Sequence, residues 1–182
     1  GDNMLVIATD ASKAAIDLRL VVPNASQFEG GRLPIVAQNV IRIYKDTAHF
    51  RGTQLIFLDF GVSKTPGPLP QHVLEAIPAK DIVEDDEHID ATPDDTEDIL
   101  PLDTSGMDLY TELRERLIRL GVKPDEIAFI HSAKTDYERQ MLYQAVREGR
   151  IRILLTTREK GGIGVNVQEL VAGVHQVDVP WR

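Results

Sequence analysis

Thr156-Thr157-Arg158, followed by Gly161-Gly162-Ile163-Gly164 and Asn166, is the stretch of this chain best equipped for chemistry. The Thr157 hydroxyl beside the Arg158 guanidinium suits phosphate oxygens. Glycines such as Gly162 and Gly164 let a backbone approach a phosphate or sugar closely, and they tolerate positive φ. Asn166 can donate and accept toward a ribose or a base. Taken alone, such a loop fits a tight strand-to-helix turn without ligand equally well. Two other short segments carry polar groups where a strand should end: His131-Ser132-Ala133-Lys134 and Asp59-Phe60-Gly61-Val62-Ser63-Lys64. His131 with Ser132 offers hydrogen bonds to a phosphate, or a structural cap. Asp59 has no partner base in view and reads as a solvated loop carboxylate.

Several chemistries find no support. No Gly-x-x-x-x-Gly-Lys-Ser/Thr segment is present, so the chain has no triphosphate cradle of its own. The Gly-rich loop follows a late strand and lacks the acidic residue that a dinucleotide fingerprint requires. The five histidines (His49, His72, His88, His131, His175) have no paired spacing and there is no cysteine, so no zinc site is expected. The acidic clusters lack the calcium-loop pattern. Metal ligands are therefore expected to be none.

The elements that must position these groups follow from pattern. Residues 10–20 read as a helix capped by Asp10 or Ser12, and 34–50 as a second helix with Pro34 in its first turn. Residues 54–60 are a short apolar run suited to a strand buried on both faces. Residues 65–106 hold six prolines and most of the chain's dense acidic cluster, and read as an inserted loop with a small helix near 71–77. After it come a helix over 108–120 (Asp108 near its start, Gly121 as its stop) and a strand over 127–130. A helix over 135–148 follows, with Thr135 and Glu138 as its capping box, then strands over 151–155 and 174–179. Strand and helix alternate with short links, which predicts right-handed crossovers and a mainly parallel sheet in an α/β fold. In such a sheet the three polar loops leave the carboxyl edge, where ligands bind.

The chain's 182 residues suit one domain, residues 1–182, and 42% hydrophobic content supports one sizeable core. The net charge of −9 argues against a simple nucleic-acid binder. That charge is uneven: residues 81–108 are densely acidic, while residues 139–160 lean basic. No apolar run reaches membrane-spanning length and no signal peptide is visible, so a cytoplasmic setting without membrane contact is expected.

The ordered segments also carry a resemblance. TTREKGGIGVNVQ resembles motif V of superfamily-2, Swi/Snf-type and phage-type helicases, a Ser/Thr-Thr segment followed by Gly-x-Gly-x-Asn. GTQLIFLDF is similar to motif IV. IAFIHSAKTDYERQ is similar to the family's strand-loop-helix with its Glu-Arg pair. VHQVDVPWR is similar to the segment ending in Asp-x-x-Trp-Asn-Pro, and DNMLVIATDASKAAIDLRL to the lead-in helix between lobes, here within residues 1–33. The resemblance covers nearly everything except residues 65–106. It is strongest to the helicase part of phage- or plasmid-borne proteins that join a helicase to an adenine DNA methylase.

The resemblance implies a RecA-like three-layer α/β/α lobe, the second of two in an ATP-driven DNA motor. His131, Ser132, Thr157, Arg158 and Lys160 would contact the DNA backbone. Gly162, Gly164 and Asn166 would face ATP with Mg2+, held mostly by a first lobe of the same polypeptide. One residue more than the Swi/Snf spacing lies between Thr157 and Gly164. The arginine finger of motif VI would follow Arg182, so the chain reads as a fragment with no catalytic residue and no bound cofactor of its own. A fused or associated DNA methylase is the further partner implied. Two other readings stand beside it: a non-catalytic α/β interaction module using the acidic 65–106 arm, and a flavodoxin-like or Rossmann-like enzyme. Arg139 is expected in a structural salt bridge and Trp181 in packing.

Overall fold

A computed structural model describes residues 4–22, 24–75, 106–162 and 167–178. Most of the acidic cluster, Gly164, Asn166 and Trp181 lie outside the described residues. The fold is mixed α/β, with a four-stranded, all-parallel sheet and helices packed on it, as a RecA-like lobe requires. The strands are β1 (Thr53–Phe57), β2 (Ile127–Phe129), β3 (Ile153–Thr156) and β4 (Val171–Gln176), in the order β2-β3-β1-β4. The helices are α1 (Met4–Ile16), α2 (Arg32–Asp46), α3 (Gln71–Leu74), α4 (Leu109–Arg119), α5 (Asp136–Arg147) and α6 (Arg158–Gly162).

Side chains alternate across a strand, and here both sets are apolar. Ile56, Ile127, Phe129, Ile153 and Leu155 face a core built with α2 and α4. Ala128, Leu154 and Leu55 face a second core built with α3 and α5. Two apolar faces per strand explain why residues 55–58 and 153–155 are unbroken hydrophobic runs rather than alternating ones.

Crossover handedness then places the helices. The chain moves from β1 past β3 to reach β2, and returns from β2 to β3 in the opposite direction. Right-handed connections must therefore cross on opposite faces. Accordingly α4 packs with one core and α5 with the other. The link from β3 to β4 continues in the second direction, and its Val167 joins the α5 core.

Local signals hold in several places. Thr135 and Glu138 form the capping box of α5. Asp108 caps α4 by accepting from the Thr111 N–H, and Gly121 follows the helix at φ +110°. Arg139 pairs with Asp136 as a surface bridge. The lead-in helix differs from expectation. It starts at Met4 and runs through Asp10 and Ser12, so neither is its cap. The apolar residues at its start extend the helix upstream of the polar ones, and Asp17 instead caps a short turn at Leu18–Leu20. Residues 158–162, expected in a loop, form the short α6.

At the amino ends of the strands a buried polar cluster ties α2 to the sheet. The Arg152 guanidinium donates to the Gly52 and Tyr44 carbonyls and to the Thr47 hydroxyl, and lies 4.0 Å over the Tyr44 ring. Tyr44 in turn donates to Glu126, which also pairs with Arg51. No helix among the described residues is long and apolar enough to cross a membrane.

Candidate functional site at the switch of strand order

β1 leaves the sheet toward β2, whereas its neighbour β3 leaves toward β4. Adjacent strands whose connections diverge open a crevice beyond their carboxyl ends, the usual ligand position in an open α/β sheet. Asp59 follows β1 and Thr157-Arg158 follow β3, so both loops enter this crevice.

Asp59 is not the solvated loop carboxylate expected of it. Its side chain is 10% exposed. It accepts the Arg158 backbone N–H at 2.8 Å and the Arg158 Nε–H at 2.5 Å. Its own N–H donates to the Asp178 carboxylate at the end of β4. Asp178 is 3% exposed, and its other oxygen, Oδ1, meets no hydrogen-bond partner. Burial pushes the Asp178 carboxyl up from the ordinary range, and the nearby Asp59 charge adds to that. The three strand ends β1, β3 and β4 are thus joined through one charged network.

The loop that carries Asp59 is fixed from below. Gly61 sits at φ +64°, where a Cβ would come within 2.5 Å of the Leu109 side chain. Its carbonyl accepts the N–H groups of Leu109 and Tyr110. Ser63 donates to Asp108, and the Tyr110 hydroxyl donates to the Leu58 carbonyl at 2.7 Å. Burial raises the proton affinity of Tyr110 far above that of a free phenol, so it remains a donor.

Each residue expected at the site has a definite place. Thr157 is 8% exposed and its hydroxyl accepts the Lys160 N–H at 3.3 Å, closing the first turn of α6. Arg158 is committed to Asp59, so a phosphate contact would require it to change partner. His131 is half-buried, with its ring edge-on to Tyr110 at 5.7 Å. Burial, with a contribution from Lys160, lowers its pKa to about 4, so the ring is neutral at pH 7. Its Nδ1 is buried without a partner. Ser132 is 7% exposed and donates to the Pro66 carbonyl. Lys160 is exposed. Gly162 is the last residue of α6, while Gly164 and Asn166 lie outside the described residues. The fold therefore brings His131, Ser132, Thr157, Arg158 and Lys160 to one edge.

Sequence reasoning passes over two cations at the same edge. Lys64 and Lys134 are exposed, and neither they nor Lys160 pair with a carboxylate among the described residues. Both occupy the loops named from the strand pattern, so their position was legible although their role was not. Lys64 and Lys134 border a groove of about 790 Å³ between the loop after β1 and the amino end of α5. Its lining is largely apolar, including Pro66, Pro68, Leu69 and Leu74, with His131 also lining it. A neighbouring groove of about 830 Å³ runs along β2. The proline-rich segment bounding it is clasped to the β2 flanks by Ser132 to Pro66 and by His72 to Asp125. Prolines beside an edge strand offer no backbone N–H for further pairing. No group of three metal-ligating side chains occurs among the described residues. The chain matches no family model, no curated protein and no solved structure.

Proposed function

We propose that this chain is the second RecA-like lobe of a superfamily-2, Swi/Snf-type ATP-driven DNA motor. One observation carries the reading. In a chain of net charge −9, the carboxyl edge collects Lys64, Lys134 and Lys160, none of them paired with a carboxylate among the described residues, in the loops that resemble the family's DNA-facing motifs. Unpaired lysines around a strand-order switch suit phosphate contacts without sequence readout.

The chain has no triphosphate cradle, so ATP and Mg2+ would be held chiefly by a first lobe of the same polypeptide. Bound there, the nucleotide would supply the free energy of phosphoryl transfer. Gly162, Gly164 and Asn166 would approach it from this side of the cleft. Thr157 would contribute through α6, whose first turn it caps, rather than through a free hydroxyl. Lobe closure and opening would then advance the grip along one strand. A DNA methylase joined to or associated with the motor is the partner we propose for the parent protein.

The test is ATP hydrolysis with and without DNA, for the polypeptide carrying both lobes and for this chain beside it. We expect DNA-stimulated turnover in the first and none in the second. An absence of stimulation with both lobes present overturns the motor reading and favours an interaction module.

A further inference from the structure

The groove beneath Lys64 and Lys134 has a shape and lining that phosphate contacts alone do not require. A lysine grip on a backbone needs only an exposed cation and a convex or flat surface. Here Lys64 and Lys134 line a cavity of about 790 Å³ together with the apolar Pro66, Pro68, Leu69 and Leu74. A volume in the range of about 300–1,000 Å³ is typical of small-molecule sites.

We propose that this groove seats one unpaired base of a DNA strand whose phosphates lie on Lys64 and Lys134, so that the lobe prefers single-stranded DNA. The proposal rests on the DNA-gripping reading above and names its substrate class. Charge complementarity selects the occupant. Among the described residues the only acid lining the groove is Glu138, and its carboxylate is already engaged by the N–H groups of Lys134 and Thr135. The lysines therefore favour an anion, while the apolar lining favours an apolar, planar group. A nucleotide carries both on one unit.

His131 supplies a flat wall. Its ring is held by Tyr110 and is uncharged at neutral pH, so it can stack on a base without adding a cation that must be desolvated. Two of the groove's three hydroxyls are unavailable to read the base, which leaves Thr65 alone to do so. Ser63 is spent on Asp108 and Ser132 on the Pro66 carbonyl. Recognition should therefore be tolerant of base identity. Duplex DNA keeps its bases stacked inside the helix and could offer the groove only its backbone.

Fluorescence anisotropy of the full chain tests this with labelled 12-residue strands at several salt concentrations. The probes are oligothymidine, an abasic strand of the same length and charge, and a duplex. We expect oligothymidine to bind about tenfold more tightly than the abasic strand. Lys134→Ala should lower the salt slope by about 0.7 for both strands. Leu74→Gln, at a side chain already 40% exposed and so tolerant of change, should weaken oligothymidine several-fold and leave the abasic strand unchanged. Equal binding of the abasic and base-bearing strands overturns the base pocket, whatever the salt slope. That result would leave the motor reading intact, because DNA-stimulated ATP hydrolysis by the two-lobe polypeptide reports on it separately.

Discussion

Replacing Asp59 by Asn tests whether the charged network at the switch point holds the loop after β3. Asn is the same size and keeps one carbonyl oxygen for the Arg158 backbone N–H, now as a neutral bond. Its amide NH2 would meet the Arg158 Nε–H, donor against donor, where the carboxylate now accepts at 2.5 Å. A hydrogen bond to a charged group contributes about 1.5–3 kcal/mol. Arg158 is about a third exposed and can turn to water, which reduces the loss. Removing the Asp59 charge also relieves its repulsion of Asp178. The net expectation is a loss of about 1–2 kcal/mol. With a urea m-value of about 2 kcal/mol/M, the midpoint should fall by roughly 0.5–1 M at pH 7 with m unchanged. Asp178→Asn is the internal contrast. It removes a buried carboxylate that the fold disfavours when charged, and its amide oxygen can still accept the Asp59 N–H. That variant should leave the midpoint unchanged or higher. A double-mutant cycle of Asp59→Asn with Arg158→Gln should show coupling of about 1 kcal/mol. Additive losses, or equal losses for the two Asp variants, would refute the network.

Two further outcomes follow from the same region. His131 has a folded pKa of about 4 against 6.5 for the free side chain, so the fold favours the neutral ring. That contribution is complete above about pH 6.5 and is lost as the pH falls toward 4. Urea midpoints compared at pH 7 and pH 5 should drop more for the wild type than for His131→Gln, and parallel drops would mean that the ring is solvated. Gly61→Ala places a methyl against Leu109 at a backbone angle that L residues rarely adopt, and should cost about 2 kcal/mol or more by thermal unfolding. A melting temperature within a degree of the wild type would show that the 58–64 loop is not held as described.

What was legible in the sequence was mostly local. Thr135 with Glu138, Asp108 and Gly121 act on groups within a few residues of themselves, so their patterns can be read without knowing the fold. The apolar runs at 54–58 and 151–155 also announce strands buried on both faces, and hence a parallel sheet. The start of α1 was misplaced because polar residues within a helix can imitate a cap. The pairing of Asp59 with Arg158 could not be read at all. These residues are 99 positions apart and meet only because β3 lies beside β1, a fact of strand order that neither residue encodes. The same holds for Arg152, whose partners on α2 and at Gly52 lie about a hundred residues away.

Strand order also decides how strongly this edge can hold a polyanion. Of the cations at the site, Arg158 is the one placed deepest in the crevice, and it is neutralised by Asp59. Lys64, Lys134 and Lys160 remain, on a chain whose overall charge is −9. Three phosphate contacts give a salt slope of only about 2–3, and the net charge opposes even that at long range. Grip by this lobe alone should therefore be weak and easily released. The proposed motor, which would let go of its track once per cycle, would need that property, provided a second surface holds the DNA in the interval. Arg158 could shift the balance only by giving up Asp59, whose loss leaves two carboxylates, Asp59 and Asp178, facing each other at the strand ends. The cost of that exposure sets how much an incoming phosphate must contribute before it can claim the arginine.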